Sequence, residues 1–265
     1  MPRIAIHGAD LYYEEHGDGP ETIVFAHGLL WDRRLFAPQI AALADRYRCI
    51  AFDFRGHGES QVTATGYDMD TLTEDAAELI RVLGCSPCHF AGLSMGGFVA
   101  MRLAIRHPDL IRSLMLLETS ADPEPKENLT RYRFLRFVAR WLGLGIVAQP
   151  VLKILFGKTF LADPARADLR EEFRRRLVAN DRIGIHRAVL GVITRQGISD
   201  QLDRIQKPTL ILVGDQDVAT VPAKSERIQA RIAGSILRVI PGAGHTSTLE
   251  EPDAVTRALE EFLSG

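Results

Sequence analysis

The chain has 265 residues, of which 46% are hydrophobic and 25% charged, and 32 Lys and Arg against 34 Asp and Glu give a formal net charge of −2. These values are typical of a large folded domain and exclude a disordered, collagenous or coiled-coil chain. Because there is no excess of positive charge, we expect neither nucleic acid nor a membrane as a partner.

Cysteine content and apolar runs indicate the compartment. Three cysteines are too few for a disulfide framework, and the first 20 residues lack the charged and then apolar run of a signal peptide. The longest apolar stretch, Val138 to Phe156, is interrupted by Arg140 and Lys153, so no bilayer span is predicted. We therefore expect a cytoplasmic protein.

In the first 120 residues, short apolar runs bounded by turn residues alternate with stretches of helical periodicity. The predicted strands are Arg3–His7, Leu11–His16, Thr22–Ala26, Cys49–Phe54, Cys88–Leu93 and Ile111–Leu117. The predicted helices are Thr71–Leu83, which ends at Gly84, and Gly97–Arg106. Such alternation is typical of a parallel sheet covered by helices on both faces.

Residues 121–205 have a different pattern, in which strand-like alternation gives way to Arg-rich amphipathic helices. Leu129–Leu142 and Arg166–Ala179 are the clearest of these helices. The strand and helix pattern then returns with strands Thr209–Val213 and Ile236–Ile240 and helices Val221–Ile232 and Pro252–Leu263. The sequence thus predicts an α/β fold with a mostly parallel, helix-flanked central sheet. Its core comprises residues 1–120 and 206–265, and residues 121–205 form an inserted helical cap.

A nucleophile motif lies between a predicted strand and a predicted helix. Gly92-Leu93-Ser94-Met95-Gly96 has the pattern G-x-S-x-G, which holds a serine exposed at the carboxyl edge of a sheet in this context. An ordinary glycine-rich turn is the alternative, but the flanking strand and helix favour a nucleophile. We therefore predict Ser94 as the nucleophile.

A serine hydroxyl needs a base, and the base needs a carboxylate to orient it. His245 lies in a loop between the last predicted strand and the last predicted helix. No comparable setting is found for His7, His16, His107 and His186. Asp215 and Asp217 both follow the strand Thr209–Val213 and compete for the role of the acid. The order serine, aspartate, histidine is the order used on this type of sheet.

These features resemble the α/β-hydrolase superfamily, most closely its esterase and 3-oxoadipate enol-lactonase branch. The resemblance covers nearly the whole core and is weak in the cap. The motifs that carry it are His27-Gly28, Asp53–Ser60, Gly92–Gly96 with Ser94, Gly214–Asp217 and Gly244-His245.

The resemblance implies roles for individual residues. It favours Asp217 as the acid, with Asp215 stabilising its loop and Glu118 as a more distant third candidate. It also implies an oxyanion hole formed by the backbone N–H groups of Met95 and Leu29. Phosphate-binding loops, dinucleotide-binding motifs and metal-ligand clusters are not found in the sequence, so we expect no cofactor.

The cap is expected to determine substrate specificity through an apolar pocket. The main pocket candidates are His27, Phe134, Phe137, Val138, Trp141 and Leu155. Arg133, Arg136 and Arg140 share one helical face, which either meets a substrate carboxylate or is solvated. We favour the solvated face.

We therefore predict a serine hydrolase that cleaves small carboxylic esters or lactones through Ser94, His245 and Asp217 and an acyl-enzyme. We expect a monomer or small homo-oligomer. Three alternatives stay open: a cofactor-free perhydrolase or haloperoxidase, a carbon-carbon bond hydrolase, and a ligand-binding receptor with low turnover. The perhydrolase is disfavoured because members of that kind often carry Trp where this chain has Leu29.

Overall fold

The computed structural model describes residues 2–265, which form an eight-stranded sheet flanked by helices. The strands are β1 (Arg3–Ile6), β2 (Ala9–His16), β3 (Thr22–Ala26), β4 (Arg48–Phe52), β5 (Cys88–Leu93), β6 (Ile111–Leu117), β7 (Thr209–Gly214) and β8 (Ile236–Ile240). The helices are α1 (Ala37–Leu43), α2 (Met69–Val82), α3 (Met95–Arg106), α4 (Lys126–Leu142), α5 (Leu144–Leu155), α6 (Lys158–Ala162), α7 (Ala167–Val178), α8 (Arg182–Ile193), α9 (Pro222–Gln229), α10 (Ser247–Glu250) and α11 (Pro252–Leu263).

The strand order in the sheet is β1-β2-β4-β3-β5-β6-β7-β8. The pairs β1-β2 and β2-β4 are antiparallel, and every other pair is parallel. The carboxyl ends of β3, β5, β6 and β7 therefore meet at one edge of the sheet. The predicted fold class, a mostly parallel helix-flanked sheet, is confirmed.

The central strands are buried on both faces, and alternate residues face opposite helical layers. On β3, Val24 packs in a cluster with side chains of α2 and α3, whereas Ile23 and Phe25 pack in a cluster with α1 and α11. Each flanking helix supplies an apolar stripe, such as Val255 and Leu259 on α11. Continuous apolar runs in the sequence thus become strands that are covered on both faces.

Between β6 and β7 the chain leaves the sheet and forms α4 to α8. Four aromatic rings join this helical insertion to the core. Trp31, in the loop after β3, lies edge-on to Phe156 and Phe173 with ring centroids 6.0 and 5.9 Å apart. Phe156 also stacks on Phe160, with centroids 4.7 Å apart. Such aromatic contacts add to the apolar area that holds the insertion on the sheet.

A buried ion pair fixes the loop after β4 to α2. Arg55 donates from Nε and Nη2 to the carboxylate of Asp75, at 2.8 and 2.7 Å, and both side chains are almost completely buried. Asp53 in the same motif accepts backbone N–H groups of Arg33 and Glu59. The motif Asp53–Ser60 thus organises loops beside the sheet edge.

We expect Asp75→Asn to lower the free energy of unfolding by about 3–5 kcal/mol, because it leaves the buried Arg55 guanidinium without a counter-charge. Urea denaturation measures this loss. The control is Glu78→Gln, which removes an exposed ion pair with Arg81 at 3.6 Å and is expected to cost no more than about 1 kcal/mol. Equal losses in the two variants would contradict a structural role of the buried pair.

Candidate active site

Ser94 lies at the tight turn between β5 and α3 in a strained backbone conformation. Its φ is 52° and its ψ is −108°, which non-glycine residues rarely adopt. The turn is held by hydrogen bonds from Ser94 N–H to Leu117 O and from Thr119 Oγ1 to Ser94 O, both 2.9 Å long. The side chain is partly exposed at the carboxyl edge of the sheet.

The glycines of the motif permit this turn because backbone approaches them closely. A Cβ atom on Gly96 would lie 2.0 Å from the carbonyl oxygen of Ala26. A Cβ atom on Gly92 would lie 2.3 Å from the carbonyl oxygen of Gly96. Only glycine fits at either position, which explains the G-x-S-x-G pattern physically.

His245 and Asp217 form a buried hydrogen-bonded pair. His245 Nδ1 lies 2.9 Å from Asp217 Oδ2, and the two side chains are 6% and 0% exposed. The carboxylate also accepts the Thr220 hydroxyl at 2.6 Å and the backbone N–H groups of Ala219 and Thr220 at 2.8 and 2.9 Å. The acid is therefore fixed in one orientation toward the imidazole.

Electrostatics keep the Asp217 carboxylate charged. Burial alone would raise its pKa, but the charge of His245 and the hydrogen bonds from His245 and Thr220 outweigh burial and lower the pKa below its ordinary value. An ionised carboxylate at this position accepts a hydrogen bond from His245 Nδ1 and orients the imidazole.

The other two candidates for the acid, Asp215 and Glu118, lie in different surroundings from Asp217. Asp215 is exposed and accepts the backbone N–H of Gly242 at 2.8 Å, so it stabilises the loop that precedes His245. Glu118 is fully buried at the end of β6, and burial raises its pKa well above the usual range. Neither carboxyl group bonds to His245 within residues 2–265.

A buried carboxyl group organises the loop that carries His245. Glu250 accepts backbone N–H groups of Gly157, Gly244 and Thr246 at 2.7, 3.0 and 3.0 Å. Burial raises the pKa of Glu250 to about 7, against the opposing effect of these donors. Through its three hydrogen bonds, Glu250 links the loop of His245 to the helical insertion.

Two backbone N–H groups at the predicted oxyanion hole are free. In the part of the chain that the structure describes, neither the N–H of Leu29 nor that of Met95 has an acceptor. Met95 is the first residue of α3, so its N–H lies at the positive end of the helix dipole. Free donors of this kind suit an oxygen atom that gains negative charge.

Ser94, Leu29, Thr220 and His245 line one cavity of about 1040 Å³, including its open mouth. Its other walls come mainly from the insertion and are largely apolar. Examples are Leu135, Ala139, Val147, Leu155, Val189 and Val192. Within residues 2–265 no hydrogen bond joins the Ser94 hydroxyl to His245.

The predicted pocket requires correction. Of the six main candidates only Leu155 lines the cavity. Phe134, Phe137 and Trp141 are 66%, 59% and 62% exposed, because the opposite face of α4 turns toward the cavity. Val138 is buried in the apolar cluster of the insertion and does not line the cavity.

His27 is also not a pocket residue. It is fully buried, its Nδ1 donates to Gly28 O at 2.7 Å, and its Nε2 accepts the N–H of Phe54 at 3.0 Å. Burial lowers its pKa, so the ring is neutral. It therefore fixes the loop that carries Leu29.

The sequence prediction missed several residues of the site. Thr220 contacts both Asp217 and His245, and its position three residues after the aspartate is a signal for a side-chain turn of this kind. His186 lines the cavity but follows no motif. Arg136, for which the sequence pattern favoured a solvated face over contact with a substrate carboxylate, also lines the cavity.

No group of three or more His, Cys, Asp or Glu side chains in residues 2–265 is placed to hold a metal ion. None of the helices in this range combines the length and the apolar character that crossing a bilayer requires.

The site and the sheet order define a class of protein. The family model of the alpha/beta hydrolase fold matches residues 21–252, and the chain belongs to this family. The resemblance predicted from the sequence motifs is thereby confirmed.

Individual relatives span the whole chain. An esterase from Thermogutta terrifontis has 31% identity and a TM-score of 0.92, covering 100% of this chain and 98% of that one. The enol-lactonase from Burkholderia xenovorans LB400 has 29% identity and a TM-score of 0.93 and covers 100% of both chains. A Mycobacterium tuberculosis protein that carries the name of a non-heme bromoperoxidase is 29% identical over 273 residues, 96% of this chain and 98% of that one.

We expect Gly96→Ala to lower the free energy of unfolding by about 1–3 kcal/mol, because the added methyl group collides with the backbone at Ala26. Chemical denaturation checks this value. The control Gly145→Ala adds a methyl group at an exposed helical position with no atom within 4 Å, and we expect no loss of stability there. A fully stable Gly96→Ala variant would show that the turn does not need its glycine.

Proposed function

We propose that this protein is a serine hydrolase that cleaves small carboxylic esters or lactones. The observation that carries the proposal is the buried pair of Asp217 and His245, of which His245 lines the same largely apolar cavity as Ser94 at its strained turn. The family membership and the esterase and enol-lactonase among the similar structures support it.

In the proposed reaction, Ser94 Oγ attacks the carbonyl carbon while His245 Nε2 takes the hydroxyl proton. A small movement of the Ser94 side chain brings the two groups into hydrogen-bond contact when substrate binds. The bond from His245 Nδ1 to Asp217 holds the tautomer in which Nε2 accepts. The positive charge that forms on the imidazole is then stabilised by the carboxylate.

The N–H groups of Leu29 and Met95 stabilise the negative charge on the carbonyl oxygen of the tetrahedral intermediate. Both donors lie in the backbone, at a loop end and at a helix N-terminus, so they need no reorganisation when the charge develops.

The intermediate collapses when the bond from carbon to the leaving oxygen breaks and His245 gives its proton to that oxygen. An acyl-enzyme on Ser94 is left. His245 then takes a proton from water while the water oxygen attacks the acyl carbon. The bond from that carbon to Ser94 Oγ breaks as His245 returns the proton to Oγ, which frees the serine and a carboxylic acid. For a lactone, both products are parts of one hydroxy acid.

We also propose that residues 121–205 act as a cap that selects the acyl or alcohol group. The cavity walls on α4, α5 and α8 are mostly apolar, which favours substrates with short hydrocarbon chains. The expectations of a cytoplasmic location, of a monomer or small homo-oligomer, and of no nucleic-acid or membrane partner stay predictions.

Perhydrolysis is the second candidate because one relative carries the name of a bromoperoxidase. In that reaction, hydrogen peroxide replaces water in the attack on the acyl-enzyme and a peroxy acid leaves. A carbon-carbon bond hydrolase would use the same three side chains. Adding peroxide to an ester assay, and a panel of carbon-carbon bond substrates, separates these activities.

We expect Ser94→Ala to lower kcat for p-nitrophenyl esters on the order of 10⁴- to 10⁶-fold, because no acyl-enzyme forms. Steady-state assays from acetate to decanoate, with a parallel lactone panel, measure this loss. Circular dichroism and thermal unfolding verify that the variant is folded. Ester turnover that persists in the folded variant would refute the proposed mechanism.

The pair of aspartates provides a matched comparison. We expect Asp217→Asn to lower kcat on the order of 10⁴-fold, since the amide no longer fixes the required tautomer or stabilises the imidazolium. Asp215→Asn removes the same charge from an exposed loop position and is expected to keep kcat within about threefold of wild type. A larger loss in Asp215→Asn would reverse the assignment of the acid.

A further inference from the structure

The apolar cavity contains charged residues that the proposed reaction does not use. Arg195 and Glu124 line it and neutralise each other: Nη1 lies 3.0 Å from Oε2, and the side chains are 2% and 8% exposed. Arg136 also lines the cavity, but no carboxylate in residues 2–265 forms an ion pair with it. Arg136 is therefore a cation on the cavity wall that lacks a counter-charge.

Arg136 is nevertheless held in one orientation. Its Nε donates to the carbonyl oxygen of His186 and its Nη2 donates to His186 Nε2, both at 2.7 Å. These two contacts occupy one edge of the planar guanidinium. The other edge, formed by Nη1 and the second N–H of Nη2, has no partner among residues 2–265, and it matches the two oxygens of a carboxylate.

His186 is constrained by this contact. Arginine only donates hydrogen bonds, so Nε2 of His186 accepts and the ring proton lies on Nδ1. Nδ1 is buried without an acceptor in the described residues, which is an unfavourable arrangement. Burial and the charge of Arg136 both lower the pKa of His186, so the ring is neutral. A buried polar group without a partner, at a cavity wall, is typical of functional sites.

The surrounding charges are positive. The charges of Arg140 and Arg187 also lower the pKa of His186. The charge of Arg133 lowers the pKa of Arg136. Of the acidic side chains nearby, Glu124 is paired with Arg195 and Asp217 with His245. This end of the cavity therefore attracts an anion.

We propose that Arg136, positioned by His186, binds a carboxylate group of the substrate, so that the enzyme prefers esters or lactones that carry a second, acidic end. The inference rests on the proposed hydrolysis at Ser94, because the carboxylate belongs to the molecule that is cleaved there. The sequence pattern favoured a solvated face for Arg133, Arg136 and Arg140. In the structure Arg136 instead lines the cavity, whereas Arg133 is exposed.

Two esters that differ at one end test this preference. Mono-p-nitrophenyl glutarate and p-nitrophenyl valerate have acyl chains of the same number of carbons, and a carboxylate replaces the terminal methyl group. We expect wild type to hydrolyse the glutarate ester with the higher kcat/KM. In Arg136→Met the ratio of the two kcat/KM values is expected to fall about 10- to 100-fold, mainly through KM for the acidic ester.

Arg133→Met is the matched control, because it removes the same charge from the same helix at an exposed position outside the cavity. We expect its ratio to stay within about twofold of wild type. An equal kcat/KM for both esters in wild type, or an equal loss in Arg133→Met, would overturn the proposal.

His186 is tested as a positioning residue. His186→Phe removes the acceptor for Nη2, and we expect it to raise KM for the glutarate ester while the kcat for that ester changes little. His186→Gln keeps an acceptor oxygen and is expected to restore part of the loss. A fall in kcat for both esters without a change in their ratio would indicate a merely structural role.

Failure of the proposed hydrolysis can be told apart from failure of this inference. If wild type hydrolyses neither ester, calorimetric titration of wild type and Arg136→Met with glutarate still tests the site. Binding to wild type that is lost in Arg136→Met and kept in Arg133→Met supports the carboxylate site. The same affinity in all three proteins, or no binding to wild type, overturns it.

Discussion

The tight turn from β5 into α3 is the constraint on which the site depends. At this turn Ser94 has a φ of 52°, and the backbone at Ala26 lies against Gly96 too closely for any side chain. Backbone contact with the end of β3 thus fixes where the hydroxyl lies relative to the loop of Leu29. Since β3, β5, β6 and β7 are parallel neighbours, the same edge also presents the loop of Asp217.

Charge burial determines the chemistry that this edge supports. Asp217 stays ionised in an almost fully buried position because His245, Thr220 and two backbone N–H groups compensate the loss of water. Glu118 lies nearby without such compensation, and its pKa is raised. Two neighbouring buried carboxyl groups thus have pKa values shifted in opposite directions, and only Asp217 bonds to His245.

The helical insertion contributes both apolar walls and polar groups to the cavity. Its aromatic residues Phe156 and Phe173 pack against Trp31 of the core, and its helices α4 and α8 supply Arg136 and His186 to the cavity that Ser94 lines. Because Arg136 has only neutral partners, the cavity is apolar along its walls and positive at one place. The shape and charge of the cavity therefore come largely from the helical insertion, the part of the sequence in which the family resemblance is weak.

The sequence by itself determined the strands and most helices, and it predicted three residues for the candidate site, because most of these signals are local. Strand β3 is an unbroken apolar run with turn residues on both sides, and the Ser94 motif is five residues long. Local patterns also pointed to His245 and to the pair Asp215 and Asp217, each in a short loop after a strand, and the family resemblance favoured Asp217.

Only the tertiary structure decided which face of α4 lines the cavity. This helix carries apolar residues on two sides, so the sequence pattern suits either orientation: Leu135 and Ala139 face inward, and Phe134 and Trp141 stay exposed. The choice is made by packing against the next helix, α5, and against α8, which is distant along the chain. Helical periodicity states which residues share a face, whereas the partner of that face is a property of the folded chain.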